Sequence, residues 1–521
     1  MSDQHNWPEM EAHLEALRSK ALEMGGPERI EREHSKGKYT VRERVERFID
    51  PGTFDEWGIL AHHQETTDDM VHRETPADGL VCGFGKVDGR TILLAADDGT
   101  VMGGSRGIVA EKKLGYLRRV AIETGIPAVF LQEASGGRVQ ELMSGFAGRS
   151  FGKGFRDLSM GMSGWVPVVS ALMGAGFGQP AFVSGLADFS VMVASGSVGA
   201  SGPAVVRAAI GESVSDVELG GAEVATNNGI VDTVPATEDE LFEQIRRYLR
   251  FMPSNSGERP AVFPTVDSPD RRVEELNEIV PTNLRRAYDM RSVIEAVFDS
   301  DTEFLEMRQA YGPSLITGLA RIDGHTVAVV ASQPNVTAGV ITTDAADKAS
   351  RFISLADAFH IPIIFLVDTP GFMVGKDAER SGLAGAASRL LAAIYGATVP
   401  KITLILRKSY GLGWFAMNGR PMEPDLLLAW PTASIAQMGP EAAVSIVAAK
   451  KIAAADDPDS VRTELLEELR EGIDPYGEAA SSSVDDIISP AETRAVLASR
   501  VPLMANRNRT ATAFKHRVPS R

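Results

Sequence analysis

Apolar positions along the first fifty residues fall at helical spacing. Met10, Leu14, Leu17 and Leu22 are separated by charged residues, which predicts a helix over about 9 to 25 that ends at Gly25-Gly26-Pro27. The segment Lys36 to Arg44 leads into a second short helix, with Thr40 as its expected N-cap and Asp50-Pro51-Gly52 as its stop. Beyond this the pattern changes to strands. Leu80 to Lys86 and Gly318 to Arg321 each run into an Asp-Gly pair, Asp88-Gly89 and Asp323-Gly324, and each pair precedes another apolar strand. Helical spacing follows at 110–124 and 345–359, then short apolar runs at 128–131 and 363–367, and further runs at 166–173 and 402–406. Strands alternating with helices of this length predict an α/β fold with mostly parallel pairing.

The two sets of elements lie in register, about 235 residues apart. Gly104 corresponds to Gly339, Lys113 to Lys348, Ile126-Pro127 to Ile361-Pro362 and Gly136 to Gly371. Later, Trp165 to Ser170 answers Thr398 to Thr403, and Gly178 answers Gly411. The chain therefore reads as an internal duplication, with domains over 1–260 and 261–521 joined by the Pro/Gly/Ser-rich stretch from Met252 to Pro260. A length of 521 residues suits two domains. The acidic stretch around Asp456 to Asp459 reads as a solvated helix.

Composition narrows the chemistry. A net charge of -17 argues against nucleic acid as a partner, although a local basic patch could still hold a polyanion. The single cysteine, Cys82, forms no intrachain disulfide and reads as a small apolar residue of a strand, which fits a reducing cytoplasm. No apolar run approaches ~18 residues and the first residues are neither basic nor hydrophobic, so an unexported, cytoplasmic protein without membrane insertion is expected. The nine histidines form no ligand-spaced cluster, so no metal is expected.

The glycines carry the candidate chemistry. Ser135-Gly136-Gly137 and Gly178-Gln179 in the first module, and Gly371-Phe372 and Gly411-Leu412-Gly413 in the second, stand where a strand turns into a helix or loop. Open N–H groups at helix starts attract negative charge. Two converging on one oxygen form an oxyanion hole, worth ~3 to 4 kcal/mol per donor. An isolated Gly-Gly reads as a tight turn; recurrence in both modules points to function. Gly174 to Gly178 lacks the spacing and acidic partner of a dinucleotide loop, and Gly145 to Lys153 fails the P-loop spacing. No serine can be paired with a histidine from the sequence, and the absence of an obvious triad favours backbone dipoles and a cofactor.

Denser motifs give a family resemblance. Gln333-Pro334 through Val340, Asp357 to Pro362, Val367-Asp368-Thr369-Pro370-Gly371-Phe372, Ala397 to Thr403, Arg407 to Gly411, Ala429 to Ala433, Asp485 to Arg494 and, in the first module, Gly103-Gly104-Ser105 and Glu218 to Ala222 carry it. From about Lys36 onward the chain resembles the carboxyltransferase (β) subunits of biotin-dependent acyl-CoA carboxylases. The resemblance implies two tandem crotonase-like domains and a homohexamer with active sites between the N-terminal domain of one protomer and the C-terminal domain of another. It implies acyl-CoA on the first domain and carboxybiotin on the second, delivered by a partner α subunit that contains the biotin carboxylase and biotin carboxyl carrier. By the same resemblance, the amides of Gly178 and Gln179 stabilise the thioester enolate, and those of Leu412 and Gly413 hold the biotin ureido oxygen. Ser135, Gly136, Gly137 and Phe415 fall on the acyl-CoA side; Gly371, Phe372, Tyr410 and Gly411 fall on the biotin side.

Several residues depart from the family pattern. Phe177-Gly178-Gln179-Pro180 stands where Ala-Gly-Gly-Ala is common, with Pro180 expected to hold Gln179 extended. Phe415 replaces a smaller residue that shapes the acyl pocket, Ala225 replaces a histidine, and the segment after Gly137 is one residue short. Two alternatives stay open: the carboxyltransferase component of a biotin-dependent acyl-CoA decarboxylase, and a diverged paralogue without turnover.

Overall fold

The computed structural model describes residues 6–134, 136–142, 153–505 and 507. Two compact units divide the chain, Met1–Glu258 and Arg259–Arg521, and the division falls within the Pro/Gly/Ser-rich stretch.

The first unit opens with helices α1 (Trp7–Leu22), α2 (Pro27–His34) and α3 (Val41–Phe48). Thr40 caps α3 in a capping box with Glu43, as the sequence suggested. Pro27 does more than stop α1, because it begins α2 at a helical position where proline's missing N–H costs nothing. The apolar stripe of α1 is not buried within this chain: Trp7, Met10, Leu14 and Leu17 are exposed.

The sheet of this unit is seven-stranded. Its central run is β1 (Leu80–Val87), β2 (Arg90–Asp97), β3 (Ala128–Ala134), β4 (Val168–Phe177) and β5 (Phe189–Met192), with β6 (Ser197–Gly199) pairing beyond the end of the β4–β5 ladder. β1 and β2 form a hairpin, and Asp88 and Gly89 both take positive φ, as a primed turn demands. The β2–β3, β3–β4 and β4–β5 pairs are parallel, with helix α4 (Ile108–Thr124) crossing from β2 to β3.

The second unit repeats this plan in an eight-stranded sheet. Here β7 (Leu315–Ile322) and β8 (His325–Ser332) form the hairpin, α6 (Thr343–Ala358) crosses over, and β9 (Ile363–Thr369), β10 (Lys401–Tyr410) and β11 (Leu426–Ala429) continue in parallel. Helix α5 (Gln179–Leu186) follows β4, and its counterpart α7 (Leu412–Ala416) follows β10. Even the irregularities repeat: the ladder shifts register between Gln132 and Ala134 in one unit and between Val367 and Thr369 in the other. Such bulges re-aim the chain, and both lie just before a candidate glycine loop.

Burial explains the charge pattern of the strands. Cys82 is fully buried on β1, and burial pushes its thiol up to about 11, so it is a packing residue and not a nucleophile. Lys113 and Lys348 occupy matching positions on α4 and α6 and are held by backbone oxygens: Lys113 Nζ donates to Ala77 O at 2.7 Å and Lys348 Nζ to Arg308 O at 3.3 Å. Burial moves the Lys348 amine from its ordinary 10.5 down to about 7. Between these two values the unfolded chain holds a proton that the folded chain does not, so stability should rise with pH across that window. Lys348→Met is expected to flatten that rise and raise the melting temperature most below pH 7. Thermal unfolding at stepped pH tests this, and an unchanged slope would clear Lys348 of the effect.

Candidate functional site

In the second unit, strand β10 ends at Tyr410 and the chain turns at Gly411, which has φ 57° and ψ -134°. Only glycine adopts this conformation readily. The Gly411 N–H donates to Ala436 O at 3.0 Å and is therefore occupied. The next two, of Leu412 and Gly413, have no acceptor among the described residues, as expected of a helix start. Trp414 N–H returns to Gly411 O at 3.1 Å and closes the turn.

Facing this helix start is the loop after β9. Gly371 has φ 120°, its N–H donates to Thr369 Oγ1 at 3.1 Å, and its carbonyl accepts from Ile341 N at 2.9 Å. A Cβ on Gly413 would lie 2.9 Å from Gly371 Cα and 3.0 Å from Thr369 Cγ2. Contact this close requires glycine at 413.

A cavity of about 1010 Å³ opens beside this junction, lined by Gly371, Phe372, Tyr410, Gly411 and Leu412. All four expected biotin-side residues thus share one cavity with Leu412, while Gly413 is buried behind them. Tyr410 Oη hydrogen-bonds with Ser434 Oγ at 2.9 Å, and burial raises its pKa. One wall, Asn283 to Arg285, is held by Arg407, whose Nη1 donates to Pro281 O, Asn283 O and Arg286 O at 3.0, 3.0 and 2.9 Å. Arg407 is itself pinned by Asp368 at 2.7 Å, with both side chains fully buried. Phe415 is half-buried on α7 of this unit and does not line the cavity.

The first unit builds a similar junction with different chemistry. Gly178 has φ 76° and ψ -117°, and its N–H donates to Gly199 O at 2.9 Å. This corrects the expectation that Gly178 supplies a free amide. Gln179 is corrected as well: instead of being held extended, it is the first residue of α5, with Pro180 second in the first turn. Pro180 has no N–H, and Ala181 N–H goes to Gly178 O at 3.1 Å, so at this helix start the N–H without an acceptor among the described residues is that of Gln179. The facing loop adds another, because Gly137 N–H has no acceptor among the described residues while Gly136 O accepts from Arg106 N at 3.2 Å. A Cβ on Gly178 would lie 3.9 Å from Gly136 Cα, so loop and helix start adjoin. Ser135 lies outside the described residues.

Below this junction is a buried charge network invisible in the sequence pattern. Gln179 Nε2 donates to Glu111 Oε1 at 2.9 Å, while its own Oε1 is buried with no partner among the described residues. Glu111 also faces Arg106 at 3.6 Å and Arg118 at 3.4 Å, and Arg106 pairs with Asp97 at 2.7 Å. Burial alone would lower the Arg106 pKa, but Asp97 and Glu111 outweigh it and keep the guanidinium charged. In the second unit the corresponding residues are Ser332, Ile341, Ala346, Ile353 and Leu412, all uncharged. The duplication is preserved in the backbone and broken in the electrostatics. Glu133, the counterpart of Asp368, takes Arg44 at 2.6 Å and Lys38 as partners; these outweigh the effect of burial and hold its carboxyl below the usual range. Ala225 is fully buried in an apolar cluster with Leu172, Met192, Val198 and Val231, so the position expected to hold histidine packs a small side chain in the core.

Among the described residues no helix is long and apolar enough to cross a membrane. Residues 32–519 match the carboxyl transferase domain family. The propionyl-CoA carboxylase carboxyltransferase subunit of Haloferax mediterranei is 39% identical over 513 residues, covering 97% of this chain and 99% of that protein. The methylmalonyl-CoA decarboxylase subunit alpha of Veillonella parvula is 37% identical over 494 residues, covering 94% and 95%. The solved structure of the transcarboxylase 12S hexamer, with methylmalonyl-coenzyme A and methylmalonic acid bound, superposes with a TM-score of 0.94 at 36% identity, covering 100% of this chain and 99% of the other.

Proposed function

The chain belongs to the carboxyl transferase family and has its two crotonase-like domains; from this premise we propose that it moves a carboxyl group between biotin and the α-carbon, or vinylogous γ-carbon, of a short or branched acyl-CoA. One observation carries the reading. Two matching strand-to-helix junctions each present backbone N–H donors without an acceptor among the described residues, Gln179 in one and Leu412 and Gly413 in the other, and the second opens onto a ligand-sized cavity.

The acyl-CoA thioester is assigned to the first unit. Gln179 N–H, with Gly137 N–H from the facing loop, would receive the thioester oxygen as it gains charge on loss of the α-proton. Gly178 shapes this turn and donates nothing to it. The second unit is assigned to biotin, carried on a partner α subunit. Its cavity fits a fused-ring ligand, with Phe372 and Leu412 as apolar lining and the N–H groups of Leu412 and Gly413 available to a ureido oxygen. When bound, biotin supplies the carboxyl group and a site that accepts the substrate proton. The chain's own part is to orient both reactants and supply fixed dipoles in place of water. Assembly as a homohexamer, the state described for transcarboxylase 12S, completes the proposal. The exposed apolar stripe of α1 is available for contact between copies.

The test is carboxylation by the full chain reconstituted with a competent biotin carboxylase and biotin carrier partner, using labelled bicarbonate. Acetyl-, propionyl-, butyryl-, 3-methylcrotonyl- and longer acyl-CoAs form the panel. At least one should be carboxylated; none carboxylated would sink the reading and leave a paralogue without turnover. The similarity to methylmalonyl-CoA decarboxylase favours a second reading, in which the same site removes carboxyl groups. Decarboxylation of methylmalonyl-CoA without ATP, in the presence of a membrane partner, would select it.

A further inference from the structure

The two helix starts reach their donor pairs by different routes. α7 carries two successive N–H groups, those of Leu412 and Gly413, and the helix itself fixes their spacing. α5 cannot do this, because Pro180 occupies its second position. The partner of Gln179 N–H is Gly137 N–H, which belongs to the loop after β3. Donors on separate segments keep a common aim only if the segments are tied together.

A buried path of hydrogen bonds and ion pairs ties them. Arg106 clasps Gly137 through its backbone: its N–H donates to Gly136 O at 3.2 Å, and its carbonyl accepts from Arg138 N at 2.9 Å. The Arg106 side chain lies against Glu111, Nη1 to Oε1 at 3.6 Å, and the same Oε1 accepts from Gln179 Nε2 at 2.9 Å. Asp97 fixes the Arg106 guanidinium through Nε at 2.7 Å and Nη2 at 3.3 Å, and Arg118 reaches the other Glu111 oxygen at 3.4 Å. Asp97, Arg106, Glu111 and Arg118 are each no more than 3% exposed, so these contacts act in a medium of low dielectric.

The second unit shows that the fold does not require these charges. There Ile341 clasps Phe372 with the same two backbone bonds, Ile341 N to Gly371 O and Met373 N to Ile341 O, both at 2.9 Å. Where Asp97 Oδ2 accepts from Glu133 N at 3.2 Å, Ser332 Oγ accepts from Asp368 N at 3.2 Å. The Leu412 side chain, in the place of Gln179, is exposed. Neutral residues thus build the same junction, and what the charges add in the first unit is the tie from loop to helix start. We propose that Gln179 and Glu111 are positioning residues for carboxyl transfer: the Gln179 side chain, anchored on Glu111 and through it on Arg106, holds the Gln179 N–H in register with that of Gly137 as the thioester oxygen gains charge. This rests on the assignment of the acyl-CoA thioester to these two N–H groups.

Gln179→Met keeps the N–H and nearly the length of the side chain, removes the donor to Glu111, and leaves every charge of the network in place. In the reconstituted complex its kcat should fall about tenfold while KM for the acyl-CoA stays within about twofold, because the donors act on charge that develops in the transition state. Glu111→Ala should give a similar loss, and the double variant no more than either alone, since both cut one tie. Glu111→Gln keeps an oxygen that can accept from Gln179 Nε2 and should recover most of the kcat lost in Glu111→Ala. If Glu111→Ala fails to fold, Glu111→Gln takes its place in the cycle, and adding it to Gln179→Met should cost no further kcat. Wild-type kcat in Gln179→Met, a rise in KM in place of the fall in kcat, losses that multiply in the double variant, or a lowered melting temperature with unchanged kinetics would each overturn the tie. Gln179→Pro deletes the N–H itself and separates the tie from the assignment beneath it. Impaired turnover in Gln179→Pro with normal turnover in Gln179→Met would keep the thioester assignment and remove the tie; normal turnover in Gln179→Pro would remove the assignment.

Discussion

Leu412→Pro is expected to reduce turnover by on the order of 10²- to 10³-fold while leaving the protein folded. Leu412 is the first residue of α7, where proline is tolerated because that N–H has no helical partner. Its side chain is 62% exposed, so little packing is lost. Proline therefore removes one N–H beside the cavity and little else. Leu412→Ala retains the N–H and should stay within a few-fold of wild type. Gly413 offers no equally clean substitution, because any Cβ there meets Gly371 Cα at 2.9 Å. Steady-state kinetics on the reconstituted complex, alongside thermal unfolding, gives the answer. Near-normal kcat in folded Leu412→Pro would remove this N–H from the site.

Asp368→Ala is expected to destabilise the second unit by ~3 to 5 kcal/mol, because it leaves the Arg407 charge buried and unpaired. The corresponding fall in melting temperature is on the order of 10 °C. The effect should reach the cavity, since the same guanidinium holds three carbonyls of the segment that forms one wall. Asp368→Ala/Arg407→Met removes both charges and should recover much of the stability but not the wall. Thermal unfolding of the two variants separates these contributions. If Asp368→Ala melts with the wild type, the pair does not support the fold.

The contrast between these predictions shows how much was legible in the chain. The α7 junction could be found because its requirements are local: a glycine at positive φ, then a helix whose first N–H groups lack partners. Recurrence of the pattern at Gly178 strengthened it. The same local reasoning overreached at Gly178 itself, since whether an N–H is free depends on what passes beside it. Gly199 occupies the Gly178 amide and Ala436 the Gly411 amide, each more than twenty residues downstream. Pro180 departs from the sequence expectation for a related reason: its bias against a helical predecessor yields to a turn that tolerates proline within its first helical positions. The network of Asp97, Arg106, Glu111 and Arg118 gave no periodic signal, because charged residues on strands and helices ordinarily face water.

The sequence by itself determined the duplication, the hairpin turns at Asp88-Gly89 and Asp323-Gly324, the capped helix at Thr40 and the glycine junctions. Each follows from φ restriction, unpaired end groups or side-chain period over a few residues. Tertiary structure decided which N–H groups remain open, which charges are buried together and what walls the cavity. Those outcomes depend on partners brought together from distant positions, as Arg407 with Pro281 and Asn283 or Arg44 with Glu238, and desolvation makes each pairing matter. The two junctions are alike in backbone because local sequence repeats. They differ in chemistry because the packing beneath them does not.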